Sequence, residues 1–183
     1  MRRILSLFVL TALFAAAAFA QNKNYNIGDK GPAGGIVFYD KGEVSDGWRY
    51  LEAAPAETEF QAQCGTYGQT VAGTKTEIGF GKQNTAVMVK KLQELGESDC
   101  ASQLCASLNH GGFKDWFMPS KDELDLMFKT LKENGLGNFK SGKDVYLSSS
   151  KAPNKNTWGQ VFNNGFQSAY KAGAYNVRAI RAF

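Results

Sequence analysis

The chain has 183 residues, of which 43% are hydrophobic, and its 21 Lys and Arg slightly outnumber its 17 Asp and Glu. That length suits one domain with a real core and leaves no room for two of ordinary size. A net charge of +4 is too small to mark a nucleic-acid binder, and a single His with three Cys supplies too few ligands for a zinc centre.

The first residues read MRRILSLFVLTALFAAAAFAQ: two arginines, an apolar run, then small residues ending in an A-x-A pattern. This predicts a signal peptide over residues 1–20, cut after Ala20, and a single domain over 21–183. No Cys stands at the cut, so a lipid anchor is not expected. No later apolar run is long enough to cross a bilayer, so no membrane span is expected after cleavage. The expected destination is extracytoplasmic: the periplasm, the outer surface or the medium. Such a compartment is oxidising, so Cys64, Cys100 and Cys105 are disulfide candidates, with one bond and one thiol left over as the simplest outcome. In one continuous helix, the Cα atoms of Cys100 and Cys105 would lie about 8 to 9 Å apart. That exceeds disulfide reach and favours Cys64 joined to one of the other two.

In chain order, GGIVFYD (34–40) and DGWRYLEAAP (46–55) read as an early hairpin, and residues 56–83, rich in Gly, Thr and Gln, as a long surface loop. Asn84 is placed as an N-cap for TAVMVKKLQEL, with Gly96 as the stop, and a short helix is expected near 100–108. In DWFMPSKDEL, Ser120 and Glu123 form an S-x-x-E capping box that starts a third helix ending at Gly135. From residue 145 the pattern turns to strands: VYLSSS, TWGQVF, FQSAYKA and VRAIRAF. The dipeptide Asn164-Gly165 predicts a two-residue hairpin turn, which sets Phe162 opposite Gln167, Gln160 opposite Ala169 and Trp158 opposite Lys171. Val177, Ala179, Arg181 and Phe183 share a face in the last run. Arg181 therefore needs a carboxylate partner in a partly buried place, and Asp115 is the expected one.

Motifs with a chemistry attached are incomplete. His110-Gly111-Gly112 resembles an oxyanion loop, but no G-x-S-x-G elbow accompanies it. GFGKQNT lacks the spacing of a phosphate loop. Asp122, Glu123 and Asp125 project to different sides of one helix, and capping accounts for the first two, which argues against a glycosidase pair. No catalytic residue, metal ligand or cofactor is assigned. The charge is unevenly spread, however: residues 129–183 carry nine basic and two acidic side chains. Lys151, Lys155 and Lys171, with Trp158, Gln160 and Gln167, form the expected ligand face, since an aromatic plane, amides and lysines suit an acidic sugar.

The strings YNIGDKGPAGGIVFYD, WRYLEAAP, GFGKQNT, LC…LNHGGFKDWFMPSKDEL and YLSSS…TWGQVF…VRAIRAF resemble the Legionella collagen-like protein C-terminal (Lcl C-terminal) domain family over nearly all of residues 21–183. The resemblance implies an α+β, C-type lectin-like fold, with two helices packed on a twisted antiparallel sheet, long loops and neighbouring termini. Within it, Asp115, Trp116, Ser120, Glu123 and Arg181 are read as structural. It implies an adhesive or ligand-binding role, including recognition of sulfated glycosaminoglycans, and the function expected of this chain is non-enzymatic binding. The chain departs from the family in lacking a collagen-like stalk, and it lacks the E-P-N or Q-P-D motif of calcium-dependent lectins. The expected partner is an anionic glycan or a cell-surface protein. The alternatives are a structural or assembly protein of the cell envelope and, further off, a hydrolase.

Overall fold

A computed structural model describes residues 23–140, 142 and 144–183. The expected signal peptide lies outside the described residues. Among the described residues the fold is α+β, with three α-helices and two sheets. Strands β1 (Ile36–Ser45) and β2 (Trp48–Ala53) form the expected hairpin, and β8 (Ile180–Ala182) adds to β2, all antiparallel. The second sheet has the order β3-β7-β4-β5-β6, from β3 (Phe60–Gln63), β4 (Val145–Lys151), β5 (Thr157–Val161), β6 (Gln167–Tyr170) and β7 (Ala174–Val177). One of its pairings, β4 with β7, is parallel. The three helices expected from the residue pattern are present, and two sheets stand where the resemblance implies one antiparallel sheet.

Helix α1 is Gly81–Glu94, α2 is Ala101–Ser107 and α3 is Lys121–Thr130. Helix α3 packs on β1, β4 and β5, burying Leu124, Met127 and Phe128 against Phe38, Tyr146 and Phe162. Helix α1 leans on β4 and α2, and its Met88 joins Cys105, Trp116, Met118 and Leu147 in a neighbouring cluster. Tyr25 meets Phe183 edge-on at 5.3 Å, so the two ends of the described domain meet.

The capping box at the start of α3 forms as the spacing requires: Ser120 Oγ accepts from the Glu123 N–H at 3.2 Å, and Glu123 Oε2 accepts from the Ser120 N–H at 2.7 Å. Asn84, by contrast, is not a cap. Helix α1 begins three residues earlier, and the wholly buried Asn84 side chain donates to the Lys75 carbonyl and accepts from the Lys75 N–H. The start falls at Gly81 because Glu123 sits there: a Cβ on Gly81 would lie 2.2 Å from Glu123 Oε2, a place only glycine can leave free. The segment 56–83 is likewise not one long loop, since it contains β3 and the first turn of α1.

The last apolar run is two strands rather than one. It leaves the second sheet after Val177 and enters the first at Ile180, and the crossing buries both of its arginines. Arg181 Nε donates to Asp115 at 2.6 Å, the partner expected from sequence, and its Nη1 donates to the buried Glu52 at 3.1 Å. Arg178 forms its own ion pair with Glu59 at 2.6 Å. Three consecutive buried serines in β4 stitch the layers. Ser148 Oγ donates to the Trp158 carbonyl, Ser149 Oγ to that of Pro119 and Ser150 Oγ to that of Lys75.

The three cysteines are buried free thiols, with no pair at bonding distance, so the expected disulfide is not present. Cys64 instead shares a hydrogen bond with the Thr157 hydroxyl at 2.7 Å, and Cys105 is enclosed among Met88, Ala101 and Trp116.

Candidate functional site

The β5–β6 hairpin decides where the expected ligand residues go. Its observed pairs are Thr157 with Tyr170, Trp158 with Ala169, and Gln160 with Gln167. The register is two residues from the one Asn164-Gly165 suggested, because the loop spans Phe162–Gly165 and is closed by the Gly165 N–H donating to the Val161 carbonyl. Phe162 cannot remain in the ladder opposite Gln167, since its ring is fully buried against Phe128, Phe139 and Tyr146. A slip of two preserves which face each side chain takes.

That face is covered by α3. Gln160 is wholly buried and its amide donates to Asp125 Oδ1 at 2.8 Å and to the Gly165 carbonyl. Gln167 donates to the Lys121 carbonyl at 3.1 Å, and the Lys121 ammonium lies 4.9 Å from the Trp158 ring centre. Trp158, Gln160 and Gln167 therefore join the hairpin to the helix. They do not form a free platform beside the lysines.

The lysines do converge. Lys151 at the end of β4, Lys155 in the following turn and Lys171 just after β6 line one cavity of about 190 Å³ on the opposite face of the hairpin. Buried Cys64 and Thr157 form its floor, and Tyr67 and Tyr170 stand at its sides. Lys155 and Lys171 are exposed at the rim. Lys151 is half-buried, and its Nζ donates to Thr66 Oγ1 at 3.3 Å and to the Lys155 carbonyl at 2.7 Å. Burial lowers the Lys151 pKa from the usual lysine value. Burial likewise raises that of the Cys64 thiol, with the Thr157 hydrogen bond opposing. Among the described residues, none of the three lysines forms an ion pair with a carboxylate; Glu97 is the one acid on the cavity wall. Three cations facing a small space attract an anion, and the tyrosines and the amides of Gln63 and Asn156 add stacking and hydrogen-bonding capacity.

A larger cavity, about 460 Å³, lies between Trp48, Leu51, Phe117, Lys82 and Glu123. Of the two acids that line it, Asp46 is exposed and pairs with Lys41 at 3.9 Å, and Glu123 is not free for chemistry. Burial raises the Glu123 pKa against the pull of its backbone donors, and the carboxylate is already engaged by the N–H groups of Gly79, Gly81 and Ser120. His110 sits edge-on to Trp116, and its backbone pairs with Phe113 in a tight turn. Among the described residues, no group of three or more His, Cys, Asp or Glu side chains is placed to hold a metal ion.

Gln63, Cys64 and Tyr67 enter the pocket from a segment that its composition marked as irregular, some ninety residues away from Lys151 and Lys155 in sequence. The odd cysteine was the only local sign. No family model, no curated protein and no solved structure matches this chain.

Proposed function

We propose that this chain is an exported, non-enzymatic binding domain that recognises an anionic glycan, such as a sulfated glycosaminoglycan, through Lys151, Lys155 and Lys171. The observation that carries this reading is the convergence of three lysines, free of carboxylate partners among the described residues, on one cavity flanked by tyrosines. The excess of basic residues after position 128 supports it by drawing a polyanion toward the same third of the chain. The resemblance of DWFMPSKDEL and its neighbouring strings to the Lcl C-terminal family points the same way, and assigns the scaffold to the C-type lectin-like type. The α+β architecture is compatible with that assignment.

The test is retention on immobilised heparin at low salt. The wild-type chain should be retained and should elute as salt screens the lysines. A variant with Lys151, Lys155 and Lys171 changed to Ala should pass through, while a control with Lys82, Lys90 and Lys114 changed to Ala should be retained. Equal elution of the two variants would overturn the assignment to this pocket, and no retention of the wild type would end the polyanion reading.

A further inference from the structure

Resting on that reading, we propose that the Lys151 pocket takes one terminal acidic monosaccharide, a hexose ring bearing a single carboxylate or sulfate, and does not grip the middle of a polyanionic chain. The cavity's size comes first. At about 190 Å³ it falls below the range of roughly 300–1,000 Å³ that encloses a drug-sized ligand, so it has room for one ring. Its shape adds to this, because buried Cys64 and Thr157 close the inner end and a chain could not run through.

The donors fit one acid group. An ammonium has three N–H bonds, and Lys151 commits two of them, to Thr66 Oγ1 and the Lys155 carbonyl. The third remains for a ligand oxygen. The same two bonds fix the Lys151 head group, so little side-chain freedom is lost when an anion arrives. Lys155 and Lys171 contribute charge at the mouth, where a longer acidic chain would pass outward. Tyr67, 57% exposed despite its size, offers its ring to the C–H face of a sugar. The Gln63 and Asn156 amides suit ring hydroxyls.

Direct titration of the exported chain, followed by amide chemical shifts, distinguishes the possibilities. The probes are glucuronate and N-acetylglucosamine 6-sulfate for the two acid groups, with glucose as the neutral control. One of the acidic sugars should bind at one site, with shifts confined to residues around 63–67, 151–157 and 170–172. Glucose should bind roughly tenfold more weakly or worse, the worth of one charge-assisted hydrogen bond. Lys151→Met should weaken the acidic sugar by a similar factor. Tyr67→Ala, at an exposed position, should weaken it several-fold without changing heparin's salt dependence. Heparin retention with no monosaccharide binding would overturn the terminal-unit proposal and leave the polyanion reading standing. Monosaccharide shifts in the pocket without heparin retention would do the reverse. Equal binding of glucose and the acidic sugars would overturn the role given to Lys151.

Discussion

Glu123 accepts a hydrogen bond from the Gly79 N–H at 2.8 Å, so the carboxylate that caps its own helix also holds the start of another. Ser120 and Glu123 fix α3 locally, and the same side chain reaches across more than forty residues to the turn that opens α1. The helices are thereby locked together before any apolar packing is counted. Changing Glu123 to Ala strands the buried N–H groups of Gly81 and Ser120, each costing about 1–3 kcal/mol, and frees the more exposed one of Gly79. A total loss of roughly 3–5 kcal/mol is expected in urea unfolding. Ser120→Ala should cost only about 1–2 kcal/mol, the range for one cap. Hydrogen exchange supplies the decisive readout: Glu123→Ala should release the amides of Gly79 and Gly81 as well as those of residues 120–123. Protection lost in α3 alone would refute the shared cap.

The Arg181 cluster predicts an ordering. Glu52 is wholly buried and accepts from the Ala33 and Gly35 N–H groups as well as from Arg181, whereas the Asp115 side chain is 40% exposed. Arg181→Met should therefore be the damaging change, about 3–5 kcal/mol, because it leaves a buried carboxylate unpaired. Asp115→Asn should cost about 1 kcal/mol or less, since water can take over. The pH dependence separates this from a simple packing loss. Burial already raises the Glu52 pKa, and Arg181 opposes the rise. Without Arg181 the folded-state pKa climbs further above the unfolded one, so the variant keeps its stability at low pH and loses it as pH rises through the folded value. A penalty for Arg181→Met that is flat between pH 4 and 8 would count against this account.

What could be read from the sequence was what its neighbours in the chain determine. The Ser120–Glu123 box depends on residues three apart, and the Asp115–Arg181 pair followed from an arginine on an apolar face that had to find an acid. The misreadings come from distant contacts. Asn84 looks like a cap, but nothing nearby reveals that Glu123 occupies the space that only Gly81 leaves open. Asn164-Gly165 looks like a two-residue turn, yet the core claims Phe162, and a Cβ on Gly165 would lie 2.6 Å from the Phe128 ring. That glycine serves a close approach as much as a turn. Lys151, Lys155 and Lys171 line one cavity because all three sit near strand ends of adjoining hairpins. Alternation along β5 could not say which face α3 would cover, and so the Trp158 face and the lysine face were merged.

The thiols give a third prediction. Burial and the neighbouring Glu97 carboxylate push the Cys100 pKa up to about 11, and burial alone raises that of Cys105 further. Thiolate is the reactive form. Native alkylation should therefore be slow at neutral pH and should speed up about tenfold per pH unit between pH 8 and 10. Cys100 lines a shallow surface cavity with Glu97 and Asp99, so it should react first, with Cys105 last. Peptide mapping after timed iodoacetamide treatment measures the order. A native mass short of two hydrogens, with Cys64 and Cys100 in one linked peptide, would contradict the free-thiol structure.

The last prediction concerns the pH range over which the lysine pocket holds an anion. Desolvation is the main cause that lowers the Lys151 pKa, so its ammonium loses charge at a lower pH than an exposed lysine does. Lys155 and Lys171 lie open to solvent at the rim. As pH rises, binding of an acidic sugar should fall with the titration of Lys151. A bound anion favours the charged form, so this fall should move to higher pH at saturating ligand, with proton uptake on binding in the intervening range. Calorimetry in buffers of different ionisation enthalpy measures that uptake directly. In Lys151→Met that fall and the proton uptake should both vanish. Proton uptake that survives the substitution would place the titrating group elsewhere and remove Lys151 from the centre of the site.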